Sequence, residues 1–414
     1  MTRAFRRRAA ALGALVVALL AGAGLRDAHA ESSNDAAVAA LGKQLFFDRS
    51  LSASGRIACA TCHSPANAYG PPNARAVQLG GVRGDRSGLR AVPSLRYTLN
   101  RTPIWFHERS VSVVEQLVEN EPPAGGLAAD GRFDRLRDQA RFPLLDADEM
   151  ANADAGAVAA KLRAAPYAGT LRLLFGPGVF ADANALFAQA LYAIERFELT
   201  DASFHPFTSK YDAYLDGAAT LSAQELRGKK LFDDPQRGGC EICHLDAKGA
   251  NGAHPIFTDF QFEALGVPRN PELPADRDPR YYDMGLCGPQ RTDKSTVAAY
   301  CGLFKTPTLR NVATRRVFFH NGRFHTLRDA LRFYVQRDMD PQKWYPRDKF
   351  DDLPPKYRVN VDRTDPPLTY KRGDAPVWND ADIDAVIAFL KTLNDGYTKR
   401  SYDGGVSPAT NRRR

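Results

Sequence analysis

At 414 residues the chain is long enough for two or three domains with sizeable cores. Hydrophobic residues make up 44% and charged residues 25%, a balance that excludes a disordered or fibrous chain. The net charge is +8, but residues 1–30 carry five arginines against Asp27 and so hold half of it. The remainder has no basic stripe of the kind a nucleic-acid binder needs.

Residues 1–30 read as a secretory signal peptide. Arg6, Arg7 and Arg8 form a positive start, Ala9 to Ala23 an apolar run, and Ala28-His29-Ala30 a small-residue cleavage site. The run is short for a spanning helix; a retained N-terminal anchor is the alternative. No later stretch of about 18 apolar residues occurs, so the mature chain is expected to be exported, soluble and off the membrane. Val38, Leu41 and Leu45 then recur at helical spacing around the phrase Gly42-Lys43-Gln44-Leu45-Phe46. Cys59-Ala60-Thr61-Cys62-His63 follows, with Cys59 17 residues after Gly42. A helix is predicted over Ala185 to Glu198, with Leu186, Ala190, Ile194 and Phe197 on one face, and then a polar connector from Asp201 to Gly217.

The phrase returns as Gly228-Lys229-Lys230-Leu231-Phe232, 12 residues before Cys240, and Cys240-Glu241-Ile242-Cys243-His244 repeats the cysteine motif. A repeat on this scale means two modules rather than one domain with two sites. Cys287 and Cys301 flank a polar loop and are expected to form a disulfide in an oxidising compartment. Thr326 can cap a helix in which Leu327, Ala330, Leu331 and Tyr334 share one buried face. Seven prolines between residues 341 and 380 forbid a long helix there. Trp344, Tyr345, Tyr357, Tyr370 and Trp378 argue for an ordered surface excursion. A last helix is predicted from Asp380 to Leu393, capped by Asn379 or Asp380, before a basic tail at 396–414. The fold class is therefore mainly α with little β: two cytochrome c-like modules packed together, over 31–205 and 206–395.

C-x-x-C-H is the attachment motif of c-type haem. Two thiols add to the two vinyl groups of one porphyrin, and the adjacent histidine ligates the iron. Redox pairs and zinc sites also use C-x-x-C, but a zinc site built from both pairs leaves His63 and His244 unexplained. Two covalent haems are expected, on Cys59, Cys62 and His63 and on Cys240, Cys243 and His244.

The run from Leu41 to Asp48 leading to Cys59, together with Phe304-Lys305-Thr306-Pro307-Thr308-Leu309-Arg310-Asn311 and Phe319-His320-Asn321-Gly322, resembles the bacterial dihaem cytochrome c peroxidases and their MauG-like relatives. The likeness covers roughly Ala37 to Asn394. It implies a peroxide-reactive haem in the first module and an electron-transfer haem in the second. It also implies a distal pair ten residues apart, which matches Gln139 and Glu149. On composition alone Glu149 reads as surface, within the acidic run of Asp146, Asp148 and Glu149. As a distal carboxylate it would take a proton from the near oxygen of H2O2 and return it to the leaving one.

No histidine lies between His63 and His107, and His107 does not match the family's removable ligand, so the first haem is expected to be open without prior reduction. The position of the family's methionine ligand on the second haem is Tyr334, the MauG-like pattern, with core packing as the plain alternative and Met339 as a rival ligand. A phenolate favours high-valent iron. The resemblance then implies oxidising equivalents stored as a bis-Fe(IV) state. Two family features are altered. The relay tryptophan before Asp130-Gly131-Arg132 is Ala129, with Trp105 and Phe133 nearby. An inter-domain calcium would take carbonyls of Arg315 and Val317, but the matching asparagine is Ala91. The implied partners are H2O2 and either a small periplasmic electron donor, a cytochrome or cupredoxin, or a protein whose Trp or Tyr is oxidised. A dihaem electron carrier without catalysis is the remaining alternative.

Overall fold

The computed structural model of the protein describes residues 34–106 and 123–398. The predicted signal peptide at 1–30, His107 and the arginine-rich end of the tail lie outside them. In the first module, helix α1 (34–47) buries Val38, Leu41, Leu45 and Phe46. It is followed by α2 (Leu136–Leu145), α3 (Ala155–Ala164) and α4 (Ala183–Thr200). Asp182 starts α4 by accepting from the Ala185 N–H at 2.9 Å, which explains why the helix begins before the predicted Ala185. Leu186, Phe187 and Ile194 of α4 close a core with Leu41, Val158, Leu162 and Leu171.

The second module holds α5 (Ala223–Asp233), α6 (Leu327–Gln336) and α7 (Asp380–Lys391). Each starts on a side-chain cap: Thr326 and Asn379, with Asp382, as predicted, and Ser222 with Glu225, which the sequence reading did not single out. The Gly-Lys phrase marks the point where two helices of a module cross. A Cβ on Gly42 would lie 1.8 Å from the Ala193 carbonyl oxygen of α4; one on Gly228 would lie 1.9 Å from the Ala385 carbonyl oxygen of α7. Four residues on, Phe46 meets Phe197 at 5.5 Å and Phe232 meets Phe389 at 5.3 Å. The same crossing is thus built twice.

Two segments differ from expectation. The polar connector contains a helix, Lys210–Leu215, and belongs to the second core. Buried Asp212 there accepts two bonds from the fully buried Arg310 guanidinium, at 2.7 and 2.8 Å. The proline-rich stretch is not a surface excursion. Its prolines break helices, but Trp344, Tyr345, Phe350, Leu353 and Val361 are buried in the same core as Phe333.

Sheet is confined to two antiparallel pairs among the described residues. β1 (Leu79–Gly80) pairs with β2 (Arg86–Ser87), Leu79 opposite Ser87, and β3 (Phe262–Glu263) with β4 (Phe304–Lys305), Phe262 opposite Lys305. Cys287 and Cys301 are joined by a disulfide. The modules are tied by a buried quartet in which Arg90 bonds Asp283 at 2.6 Å and Asp130 at 2.7 Å, while Arg132 bonds Asp130 at 2.8 Å. Asp395, just past α7, reaches back to Arg96 at 2.9 Å. Among the described residues no helix is long and apolar enough to cross a membrane.

Candidate active site

One cavity of about 540 Å³ is lined by both cysteine motifs. In each, the histidine is oriented by a backbone carbonyl. His63 Nδ1 lies 3.0 Å from the Tyr69 oxygen and His244 Nδ1 2.9 Å from the Phe257 oxygen. A carbonyl only accepts, so Nδ1 carries the proton and Nε2 keeps its lone pair. Burial, the largest influence on both rings, lowers each imidazole to about 4, so both are neutral at pH 7. Tyr69 and Phe257 both adopt left-handed backbone, at φ 53° and 57°, which turns each carbonyl to its ring.

A second repeat, unnoticed in the sequence, supports these loops. Pro93-Ser94-Leu95-Arg96 matches Pro307-Thr308-Leu309-Arg310. Ser94 Oγ donates to the Ala68 carbonyl at 2.6 Å and Thr308 Oγ1 to the Ile256 carbonyl at 2.5 Å. A search for short repeats at any spacing would have found it, since the copies lie 214 residues apart against 186 for the Gly-Lys phrase.

Cys59, Cys62, Cys240 and Cys243 are free thiols, and burial pushes each up to about 12. Two thiols and one imidazole from each motif thus line the cavity, the donor set a covalent haem requires. Among the described residues no three His, Cys, Asp or Glu side chains gather as a metal-ion site, so the two cysteine pairs build no shared zinc centre.

Gln139 on α2 and Glu149 beyond its end both line this cavity, as do Cys59 and Cys62. Pro143 lacks the N–H that would otherwise bond the Gln139 carbonyl. The loop carrying Glu149 is clamped by the β1–β2 hairpin: Gly81 N–H donates to the Glu149 carbonyl at 2.7 Å, and a Cβ on Gly80 would lie 2.0 Å from the Asp148 oxygen. Asp148 pairs with Arg86 at 2.5 Å, and both Asp148 and Glu149 line the cavity. Burial, aided by Asp146 and opposed by Arg132, raises the Glu149 carboxyl to about 7.

Glu198 also lines the cavity and was not singled out from sequence. One of its carboxylate oxygens is buried without a partner, and burial lifts the group to about 8. In the helix-crossing repeat it stands where Leu390 stands in α7, a substitution visible once the two helices are aligned.

On α6, Leu327, Ala330, Leu331 and Tyr334 line the cavity, and Ala330 and Leu331 belong as well to the core that holds Phe333 and Val335. The predicted stripe is therefore right in register and lies where core and cavity meet. The Tyr334 phenol has no hydrogen-bond partner among the described residues, and its ring lies 5.6 Å from that of Phe319. Burial and the nearby Cys240 and Cys243 raise it; the Arg337 guanidinium opposes them. Met339 does not line the cavity.

A family described as di-haem cytochrome c peroxidase matches residues 36–220. The methylamine utilization protein MauG of Paracoccus denitrificans is 33% identical over 380 residues, 87% of this chain and 89% of that protein. The chain belongs to the di-haem cytochrome c peroxidase family. The crystal structure of the diheme peroxidase BthA from Burkholderia thailandensis superposes with a TM-score of 0.78 at 40% identity, covering 86% of each chain. Cytochrome-c peroxidase IdrP1 of Denitromonas iodatirespirans is 29% identical over 312 residues, 71% of each protein. The chain is thus an oxidoreductase of the haem peroxidase type, with the mainly helical fold of a di-haem peroxidase.

Within this di-haem peroxidase, Ala129 and Phe133 line the cavity but Trp105 does not. Trp105 packs edge-on against Phe262, its ring 3.9 Å from the Arg291 guanidinium. The Ala129 carbonyl instead accepts from the Lys305 backbone N–H at 2.8 Å, and burial lowers the Lys305 amine to about 7. The residues expected to hold calcium do not fit the ion. Val317 offers its carbonyl to the Arg315 side chain, and Ala91 has no side-chain oxygen.

Proposed function

We propose that the protein is a periplasmic dihaem c-type peroxidase, exported by residues 1–30. Its first module, 31–205, carries an open, peroxide-reactive haem on Cys59, Cys62 and His63. Its second, 206–395, carries an electron-transfer haem on Cys240, Cys243 and His244, with Tyr334 as the second axial ligand. When bound, the haems supply an iron that accepts H2O2 and a second iron that passes or stores the electrons the reaction consumes.

The carrying observation is that Glu149 and Gln139 line the same cavity as Cys59 and Cys62, and that Glu149 is close enough to act on both thiols. A carboxyl near 7 can both take and return a proton at neutral pH, as cleavage of the O–O bond requires. The Gln139 amide can orient peroxide or a water beside it. Tyr334 would enter as phenolate, with the Arg337 guanidinium favouring the anion. The reductant in this reading is a small periplasmic cytochrome or cupredoxin.

The test is optical titration of the air-oxidised protein with one equivalent of H2O2 and no reductant. Immediate loss of a high-spin ferric band supports an open first haem. No reaction until one electron is added overturns that point, and inertness after reduction reduces the protein to an electron carrier. Tyr334 in the methionine position favours a second reading, oxidation of Trp or Tyr on a partner protein. That reading predicts an oxidised form stable enough to be consumed by added protein rather than by a reduced cytochrome.

A further inference from the structure

Arg315 follows the short turn Val312–Thr314, in a segment of the second module that touches the first. We propose that its guanidinium is the permanent cation of the inter-module junction and stands in place of a bound calcium ion, so that the protein assembles and works without divalent metal. Arg315 Nε donates to the Val317 carbonyl at 3.3 Å, which removes one of the two carbonyls that a calcium ion would use. Nη2 crosses to the first module and donates to the Val92 carbonyl at 3.0 Å. The side chain therefore does what a bridging ion does, drawing backbone oxygens of both modules onto one positive charge.

The surroundings leave no room for a second cation. A Cβ on Gly70 would sit 3.5 Å from Arg315 Nη1, so the guanidinium fills that space. Ala91 contributes no side-chain oxygen, and its N–H is spent on the His320 carbonyl at 2.7 Å. Calcium takes six to eight oxygen ligands, commonly with carboxylates among them. Among the described residues no carboxylate lies within ion-pair distance of Arg315, and a metal ion beside the guanidinium would meet like charge.

Elemental analysis of the purified, dialysed holoprotein tests the first half of the proposal. The expected result is iron at two per chain without stoichiometric calcium, and a melting temperature and haem spectrum unmoved by a strong calcium chelator. One calcium per chain, removed by the chelator together with a fall in melting temperature, overturns it. Arg315→Ala tests the second half: it is expected to lower the melting temperature of the holoprotein with both haems retained. Arg315→Lys should recover only part of that loss, because an ammonium keeps the charge and loses the fork that reaches both carbonyls. An unchanged melting temperature in Arg315→Ala overturns the assignment. Should that variant fail to fold, the calcium content of the native protein still decides. None of these readouts uses peroxide turnover, so their failure is separable from failure of the proposed function.

Discussion

Two carboxyls whose pKa values are raised by desolvation line the same cavity, and they predict two kinds of pH dependence. Glu149, at about 7, must be ionised to accept a proton from peroxide. The rate of peroxide reaction should therefore rise with pH through about 7. Glu149→Gln should flatten that rise and slow the reaction by about 10²–10⁴-fold, with both haems retained, as stopped-flow absorbance would report. Glu198 bears instead on stability. Its carboxyl is held at about 8 against an ordinary 4.5. Between those values the folded state binds a proton that the unfolded state has lost, so folding weakens as pH rises, by up to about 1.4 kcal/mol per pH unit. Thermal melts from pH 5 to pH 8 should show stability falling, and Glu198→Gln should remove the share due to Glu198, the part above about 7 included, while the share of Glu149 below about 7 remains. At the second haem, Tyr334→Met should raise the midpoint potential, because a thioether favours ferrous iron and a phenolate ferric. A redox titration with unchanged potential would remove Tyr334 as ligand.

At the scale of elements, the glycines of the helix crossings carry the clearest prediction. Gly42→Ala would drive a methyl group into the Ala193 carbonyl, and Gly228→Ala into that of Ala385. Each should cost about 1–3 kcal/mol through helix displacement, readable as a lower melting temperature. The phrase was legible in the sequence as a repeat, but not as a helix crossing: that backbone contact demands its glycine shows only where Ala193 and Ala385 lie against it. Helix caps were legible because Thr326 and Asn379 act on residues two or three places away. What escaped was whatever depends on direction in three dimensions. Prolines between 341 and 380 announce broken helices but not depth, so a stretch that supplies Trp344 and Tyr345 to the core read as surface. Periodicity put Tyr334 on a buried stripe without distinguishing cavity from core. Matching a motif assigned the Arg315 and Val317 carbonyls to an ion, while the Arg315 side chain, whose course no local pattern reveals, had already taken one of them.

Across the whole molecule, the two modules must keep a fixed separation if electrons are to pass between their haems, and the quartet of Arg90, Asp130, Asp283 and Arg132 is placed to hold it. Arg90 belongs to the first module and Asp283 to the second; their side chains are 9% and 4% exposed, too buried for solvent to screen the pair. The four charges cancel. Asp283→Ala leaves a surplus cation in the interface and Arg90→Ala a surplus anion, so each alone should cost about 3–5 kcal/mol. Removing both leaves Arg132 with Asp130 and restores neutrality. The double variant should then be more stable than the two single losses added together would allow, by about 0.5–3 kcal/mol. Denaturant unfolding followed at the haem absorbance measures all three. Strict additivity would mean that the modules are held by Arg96, Asp395 and the apolar contacts instead, and that the quartet is two independent pairs. Coupling would make the junction a single electrostatic unit, in which a charge change at Arg90 is felt at Asp283 on the far side.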